Sequence, residues 1–195
     1  MITEGSKMAK APIPEPEFFR QSLTYYPDTG KLFWKHKPAS LFEGGKFSPE
    51  RCALSWNAKY AGKEAFTCIA NNGYFVGRIR GRNYLAHRVI WAIVHGEWPE
   101  DQIDHINGDR TDNRVSNLRP ADTTANAMNM GLRSDNQTGC AGVGWLPKQK
   151  KWRARIKVDG REKYLGHFDT FEEAKAARLR ANKRHGYSAR HGLAE

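Results

Sequence analysis

The sequence predicts an α+β fold in which small antiparallel sheets are each paired with one helix. Three observations predict it. Short β-patterned runs return on themselves through Gly- and Asx-rich turns at Pro27–Gly30, Gly81–Asn83, Asn107–Asp109 and Asp159–Gly160. Helix starts follow two of these returns: Asp122 before Thr123–Asn129, and the capping box Thr170-Phe171-Glu172-Glu173. The third observation is the alternation in Trp152–Val158. It puts Arg153, Arg155 and Lys157 on one face and Trp152, Ala154, Ile156 and Val158 on the other.

Taken in order, residues 1–16 are polar and Pro-punctuated and read as a flexible N-terminus. Pro16–Thr24 reads as a short helix, and Lys31–Lys35 as a strand after the first turn. Ala39–Ala70 has no pattern that decides between helix and strand. Gly73–Arg80 and Tyr84–Ala86 flank Gly81-Arg82-Asn83 as a hairpin. His87–His95, rich in Val, Ile and Trp, reads as a buried helix stopped by Gly96 and Pro99. Gln102–His105 and Asn117–Arg119 read as strands around a turn. Residues 17–130 form one expected domain, 131–139 a polar linker, and 140–190 a second domain. In the second, strands over 142–146, 151–158 and 163–168 pack on a helix from Phe171 to about His185. Phe171, Ala174, Ala177 and Ala181 supply its apolar side.

Charge separates the two parts. The chain has 32 Lys+Arg and 21 Asp+Glu, a net of +11. Thr138–His191 alone holds 14 basic and 5 acidic residues, so this short segment carries +9 of that charge. Such concentration is the footprint of a polyanion binder. Cys52, Cys68 and Cys140 are odd in number and never form a C-x-x-C pair, which argues against a disulfide framework or a four-Cys zinc site. They read as thiols of a reducing, cytoplasmic compartment. No apolar run is long enough to span a membrane, and no signal-peptide core is present.

The densest chemistry lies in Asp104-His105-Ile106-Asn107-Gly108-Asp109, with Asn117 twelve residues after His105 and Asn126 nine further on. Alone, the hexapeptide is an Asx-rich turn; with the two later Asn residues it can hold one divalent ion and one general base over a phosphodiester. Asp104 and Asn126 offer the oxygen ligands that Mg²⁺ or Mn²⁺ prefers. His105 is the candidate base for the attacking water. The Asn117 amide can bond backbone across the loop and fix the His105 ring. His87 and Arg88 are candidate phosphate contacts, with a helix-capping role favoured for His87. His36, His95, His167, His185 and His191 carry no partner spacing.

Together with His87-Arg88, Asp112-Asn113-Arg114, Ser116-Asn117-Leu118-Arg119 and Gly96-Glu97-Trp98-Pro99, this stretch resembles the HNH homing-endonuclease family. The resemblance covers about Phe18–Asn129 and includes Pro27–Gly30, Asn57 and Gly62-Lys63. It implies a ββα-metal fold, hydrolysis of DNA with one divalent ion, His105 as catalytic base, Asp104 and Asn126 as metal ligands, and Asn117 in loop support. Asn126 stands where the family name has His, which favours Mg²⁺ or Mn²⁺ over Zn²⁺.

The C-terminal part resembles the plant ethylene-response-factor type of DNA-binding domain, as found fused to phage HNH nucleases. The matching residues are Gly142-Val143, Trp152–Ile156, Tyr164–Phe168 and Glu172–Ala174. Gly144 stands where the plant domains often have Arg, so their sequence preference does not transfer. Arg153, Arg155, Lys157 and Tyr164 would face double-stranded DNA; Lys148, Lys150 and Lys151 would add phosphate contacts. The expected protein is a site-specific, phage-type DNA endonuclease, monomeric on DNA, whose single site per chain predicts a nick, or a double-strand break only where two copies meet. The rival is a DNA-binding regulator with an inactive nuclease fold.

Overall fold

A computed structural model of the protein describes residues 13–193. It is a mixed α/β structure with small antiparallel sheets, and its contacts divide the chain into two compact units. The first comprises residues up to Ile103 together with Arg110–Leu118; the second comprises Asp104–Asp109 and everything from Arg119.

In the first unit, helix α1 (Pro16–Ser22) opens on a proline, whose fixed φ suits a first helical position. It ends two residues before the expected Thr24, because Leu23 begins strand β1 (Leu23–Tyr26). β1 pairs antiparallel with β2 (Lys31–Trp34). Helix α2 (Pro49–Tyr60), capped by the Ser48 hydroxyl on Arg51 N, occupies the stretch that the sequence pattern left undecided. Strand β3 (Glu64–Ala65) then adds to β2. A second sheet follows, formed by β4 (Cys68–Ile69), β5 (Phe75–Ile79) and β6 (Arg82–Leu85). Its hairpin turn is Arg80-Gly81, both at positive φ, so Arg82 and Asn83 lie on a strand rather than in the expected turn. Helix α3 (Ala86–His95) ends at a left-handed Gly96. Phe19, Leu23, Leu32, Val89 and Ile90 fill the core. Of the expected N-terminal tail, residues 1–12 lie outside the described residues. Pro14 is tied down, its carbonyl accepting the Trp98 indole N–H at 2.9 Å.

Strands β7 (Gln102–His105) and β8 (Leu118–Ala121) form a two-stranded sheet, followed by helix α4 (Thr123–Asn129). Asn117, expected on the returning strand, sits in a short 3-10 turn just before it.

The rest of the second unit is a three-stranded antiparallel sheet and one helix. β9 (Val143–Leu146) and β11 (Arg161–Phe168) flank β10 (Lys151–Val158), and helix α5 (Phe171–Arg184) starts with the full Thr170/Glu173 capping box. Ala154 and Ala174 sit in one small apolar cluster, Ile156, Val158 and Ala181 in another. A bulge interrupts β11: Ala154 pairs with Gly166 but Arg155 with Tyr164, leaving Leu165 extra. Residues 131–139 are engaged at both ends. Leu132 N donates to Leu193 O, while Asn136 Oδ1 accepts from the Thr138 and Gly139 amides. All three cysteines are free thiols. Among the described residues no helix is long and apolar enough to cross a membrane.

Candidate active site

Alternation along β7 sends Ile103 into the first unit's core and leaves Asp104 half-buried, while His105 at the strand end is buried at 2% exposure. The chain then turns: Gly108 N donates to His105 O at 2.8 Å, and Asp109 N to Asn107 Oδ1 at 2.9 Å. These are the Asx-turn contacts that the residue types favour.

Two side chains meet at the Asp104 carboxylate. Arg119, from β8, reaches Oδ2 with Nε at 3.1 Å and Nη2 at 2.8 Å. Asn129, at the end of α4, donates Nδ2 to the same Oδ2 at 3.0 Å and to His105 O at 2.8 Å. One side chain thus holds both members of the Asp-His pair. The helix that delivers it is set by Asp122, whose Oδ1 accepts Ala125 N at 2.7 Å. Asn126 lies three residues before Asn129 and so shares its face of α4. The Oδ1 atom of Asn129, a residue only 3% exposed, is buried without a hydrogen-bond partner. An orphan amide oxygen on the residue that touches Asp104, and a second amide one turn earlier, make an oxygen-only donor set. Oxygen donors of this kind suit a hard divalent cation. Among the described residues no group of three or more His, Cys, Asp or Glu is arranged to hold a metal.

The tail after α5 reaches this site. Arg190 Nη1 donates to Asn129 O at 2.8 Å, Ser188 N to Met128 O at 3.1 Å, and Gly192 N to Met130 O at 3.1 Å. Three consecutive carbonyls at the end of α4 are therefore satisfied from one short segment. Gly108 (φ 75°) makes room for it, since a Cβ there would fall inside the Arg190 guanidinium.

In the first unit, Asn117 donates Nδ2 to Asp112 O at 2.9 Å, closing its loop. Asp112 also binds the Arg114 guanidinium at 2.7 and 2.6 Å. The Tyr25 hydroxyl, its pKa raised by burial, donates to Asn113 O and accepts Val115 N at 2.8 Å. His87 is buried, with its ring 4.9 Å from Tyr74. Arg88 donates to Asp101 O and Pro99 O, both at 2.8 Å. Its guanidinium thus ties α3 to the segment before β7.

The expected DNA-facing residues lie on the sheet of the second unit. Arg155 and Lys157 are exposed and Arg153 is half-buried; Tyr164, 61% exposed, pairs across from Arg155. Glu162 shares that face and bonds Arg155 Nη1 at 2.7 Å. Lys148 and Lys150 are exposed in the β9–β10 turn, and Lys151 is paired with Asp169. The bulge brings His167 to the outer face, where its ring meets Tyr164 at 5.2 Å, and turns Phe168 inward. Sequence reasoning missed Arg119 and Asn129. A signal existed for Asn129, one helical turn past Asn126.

Against known proteins, residues 84–128 match the HNH endonuclease family model. The chain is also similar to Protein 3.8 of Escherichia phage T7. The two are 28% identical over 105 residues, which is 53% of this chain and 87% of that protein. No solved structure matches the chain at a significant level.

Proposed function

We propose that the chain is a site-specific DNA endonuclease of the homing type, acting as a monomer with one divalent ion. The observation that carries the reading is the Asp104–His105 pair, which lies within the stretch that matches the HNH model and is held by Asn129 of α4 just past its end. Asp104 and Asn126, with Asn129 Oδ1 beside them, would hold Mg²⁺ or Mn²⁺. When bound, such an ion stabilises charge on the phosphate and on the leaving 3′ oxygen. His105 takes the proton of the attacking water. Its burial means that this water arrives with the substrate rather than from bulk. Asn117 keeps the intervening loop closed. The C-terminal sheet, of the ethylene-response-factor type, holds double-stranded DNA through Arg153, Arg155, Lys157 and Tyr164, with Lys148, Lys150 and Lys151 on phosphates. To reach a base edge Arg155 must give up Glu162, and Lys and Arg side chains on phosphates release counterions, which makes the association salt-sensitive. The relative from phage T7 supports a phage-borne enzyme acting in the host cytoplasm.

A second reading has one observation in its favour: Arg119 already neutralises Asp104. On that reading the protein is a DNA-binding regulator with an inactive nuclease fold. Incubating supercoiled plasmid with wild-type and His105→Ala chains, with Mg²⁺ or with EDTA, separates the two. The endonuclease produces Mg²⁺-dependent nicked circles, and His105→Ala lowers the rate roughly 10²–10⁴-fold with binding intact. Wild-type nicking by His105→Ala would remove the proposed base. A wild-type chain that binds and never cuts would be the regulator.

A further inference from the structure

The first unit contains a cavity of about 380 Å³ that the cleavage reading does not use. That volume lies within the range of small-molecule clefts, roughly 300–1,000 Å³. Trp34 from β2 and Trp56 and Tyr60 from α2 line it. Trp56 and Tyr60 are four residues apart, hence on one helix face, with ring centroids 5.3 Å apart. Trp34 meets Trp56 edge-on at 5.5 Å. Three cations share the lining, Lys37, Arg78 and Arg80, and no acidic residue does. Lys37 Nζ lies 4.2 Å over the Trp56 ring and 5.2 Å over Trp34. Burial, then the Arg80 charge, lowers its pKa, so the pocket holds positive charge at a cost. Asn57 holds the Lys37 backbone through its side chain, and Arg80 lies 4.3 Å over the Phe18 ring. The charged ends of Lys37, Arg78 and Arg80 have no hydrogen bond or ion pair among the described residues.

Each feature narrows the ligand. Three like charges exclude a cationic guest, although aromatic cages otherwise suit one. A simple anion would use the cations and leave the aromatic walls idle. A purely apolar guest would leave the cations unpaired. What uses all of them is a flat, hydrogen-bonding π system carrying a phosphate. We propose that this cavity binds one unpaired nucleotide of DNA, its base against Trp56, Tyr60 and Trp34 and its phosphate on Lys37, Arg78 and Arg80. Taking the nucleotide from DNA rests on the endonuclease reading. Stacking on aromatic rings is sequence-tolerant, so this site contributes affinity for distorted or unpaired DNA and not base identity.

The test uses the full chain in EDTA and a short single-stranded oligodeoxynucleotide carrying one 2-aminopurine, whose emission falls when it stacks. The expected result is quenching on binding, with deoxyadenosine monophosphate competing better than inorganic phosphate. Lys37→Gln should weaken binding roughly tenfold, and Trp56→Ala should also abolish the quench. Circular dichroism melting separates these losses from unfolding, and Lys37→Gln removes charge without emptying the core. Equal competition by inorganic phosphate and the nucleotide would reduce the cavity to an anion site and overturn the proposal. So would an unchanged quench in both folded variants. Running the plasmid assay on the same preparations keeps the two readings apart. Nicking without quenching rejects the cavity alone; quenching without nicking rejects the endonuclease alone.

Discussion

The two units bury different things. The first is filled by large apolar side chains, Phe19, Leu23, Leu32, Val89 and Ile90 among them, with several aromatic edge contacts. The second has two small clusters built largely on alanine, valine and isoleucine. Among the described residues each unit buries four polar residues, Ser22, His87, Asn113 and Asn117 in the first and His105, Asn129, Arg178 and Asn182 in the second, so the contrast lies in the apolar filling. In the second, Arg178 donates Nε to Ala141 O at 3.0 Å, and the His191 ring lies tilted against Tyr187 at 4.5 Å. Apolar burial is non-directional and tolerates small shifts, whereas hydrogen bonds to buried polar groups fix position. The Asp-His pair therefore sits in the unit with the slighter apolar filling, where the bonds from Asn129 and Arg119 carry more of its placement.

That contrast can be broken or sharpened by substitution. The largest stability loss belongs to the first unit. Ile90→Ala should cost about 2–5 kcal/mol in urea unfolding, and a loss below about 1 kcal/mol would show that its core is not close-packed. Asn129→Ala, in the second unit, removes a hydrogen bond to a carboxylate worth roughly 1.5–3 kcal/mol. It should also shift the Mg²⁺ titration of nicking upward. If Asn126→Ala shifts that titration and Asn129→Ala does not, Asn126 alone supplies the amide ligand. Removing a cap is milder: Thr170→Ala should cost about 1 kcal/mol by the same unfolding measurement. The smallest effect is on pH. Burial, then the Arg178 charge, pushes His191 down from 6.5 to about 4, opposed by a bond with the Met130 backbone. The folded state prefers the neutral ring, so this contribution is complete above pH 6.5 and is lost as pH falls toward 4. His191→Gln should flatten wild-type stability between those values; an identical pH profile would show that His191 does not titrate on unfolding.

Where a local rule applies, the sequence was legible. Asp122 and Thr170 cap helices α4 and α5, and Asp159-Gly160 turns between β10 and β11 at positive φ, because each device is contained in a few consecutive residues. The Arg80-Gly81 turn was misplaced by one to two residues, since Gly81-Arg82-Asn83 offers competing turn formers. The bulge left one trace: Leu165 and Phe168, three apart, cannot share a face of an unbroken strand, and Gly166 (φ 139°) lies between them. Asp104, His105 and Asn126 stood out by spacing alone. Arg119 read as an ordinary strand residue, and Arg190 lies 61 positions from the carbonyl it binds. No local pattern encodes such a contact.

Timing gives the tail a further meaning. Met128, Asn129 and Met130 offer their carbonyls to Ser188, Arg190 and Gly192, which leave the ribosome only after α5 has been made. At about 5–20 residues per second, the 61 residues separating Asn129 from Arg190 take roughly 3–12 seconds to synthesise. During that interval the nascent chain has its Asp-His pair but not the strap that closes the end of α4. A site whose fastening arrives so late is kept incompletely assembled until the C-terminal sheet and helix already exist.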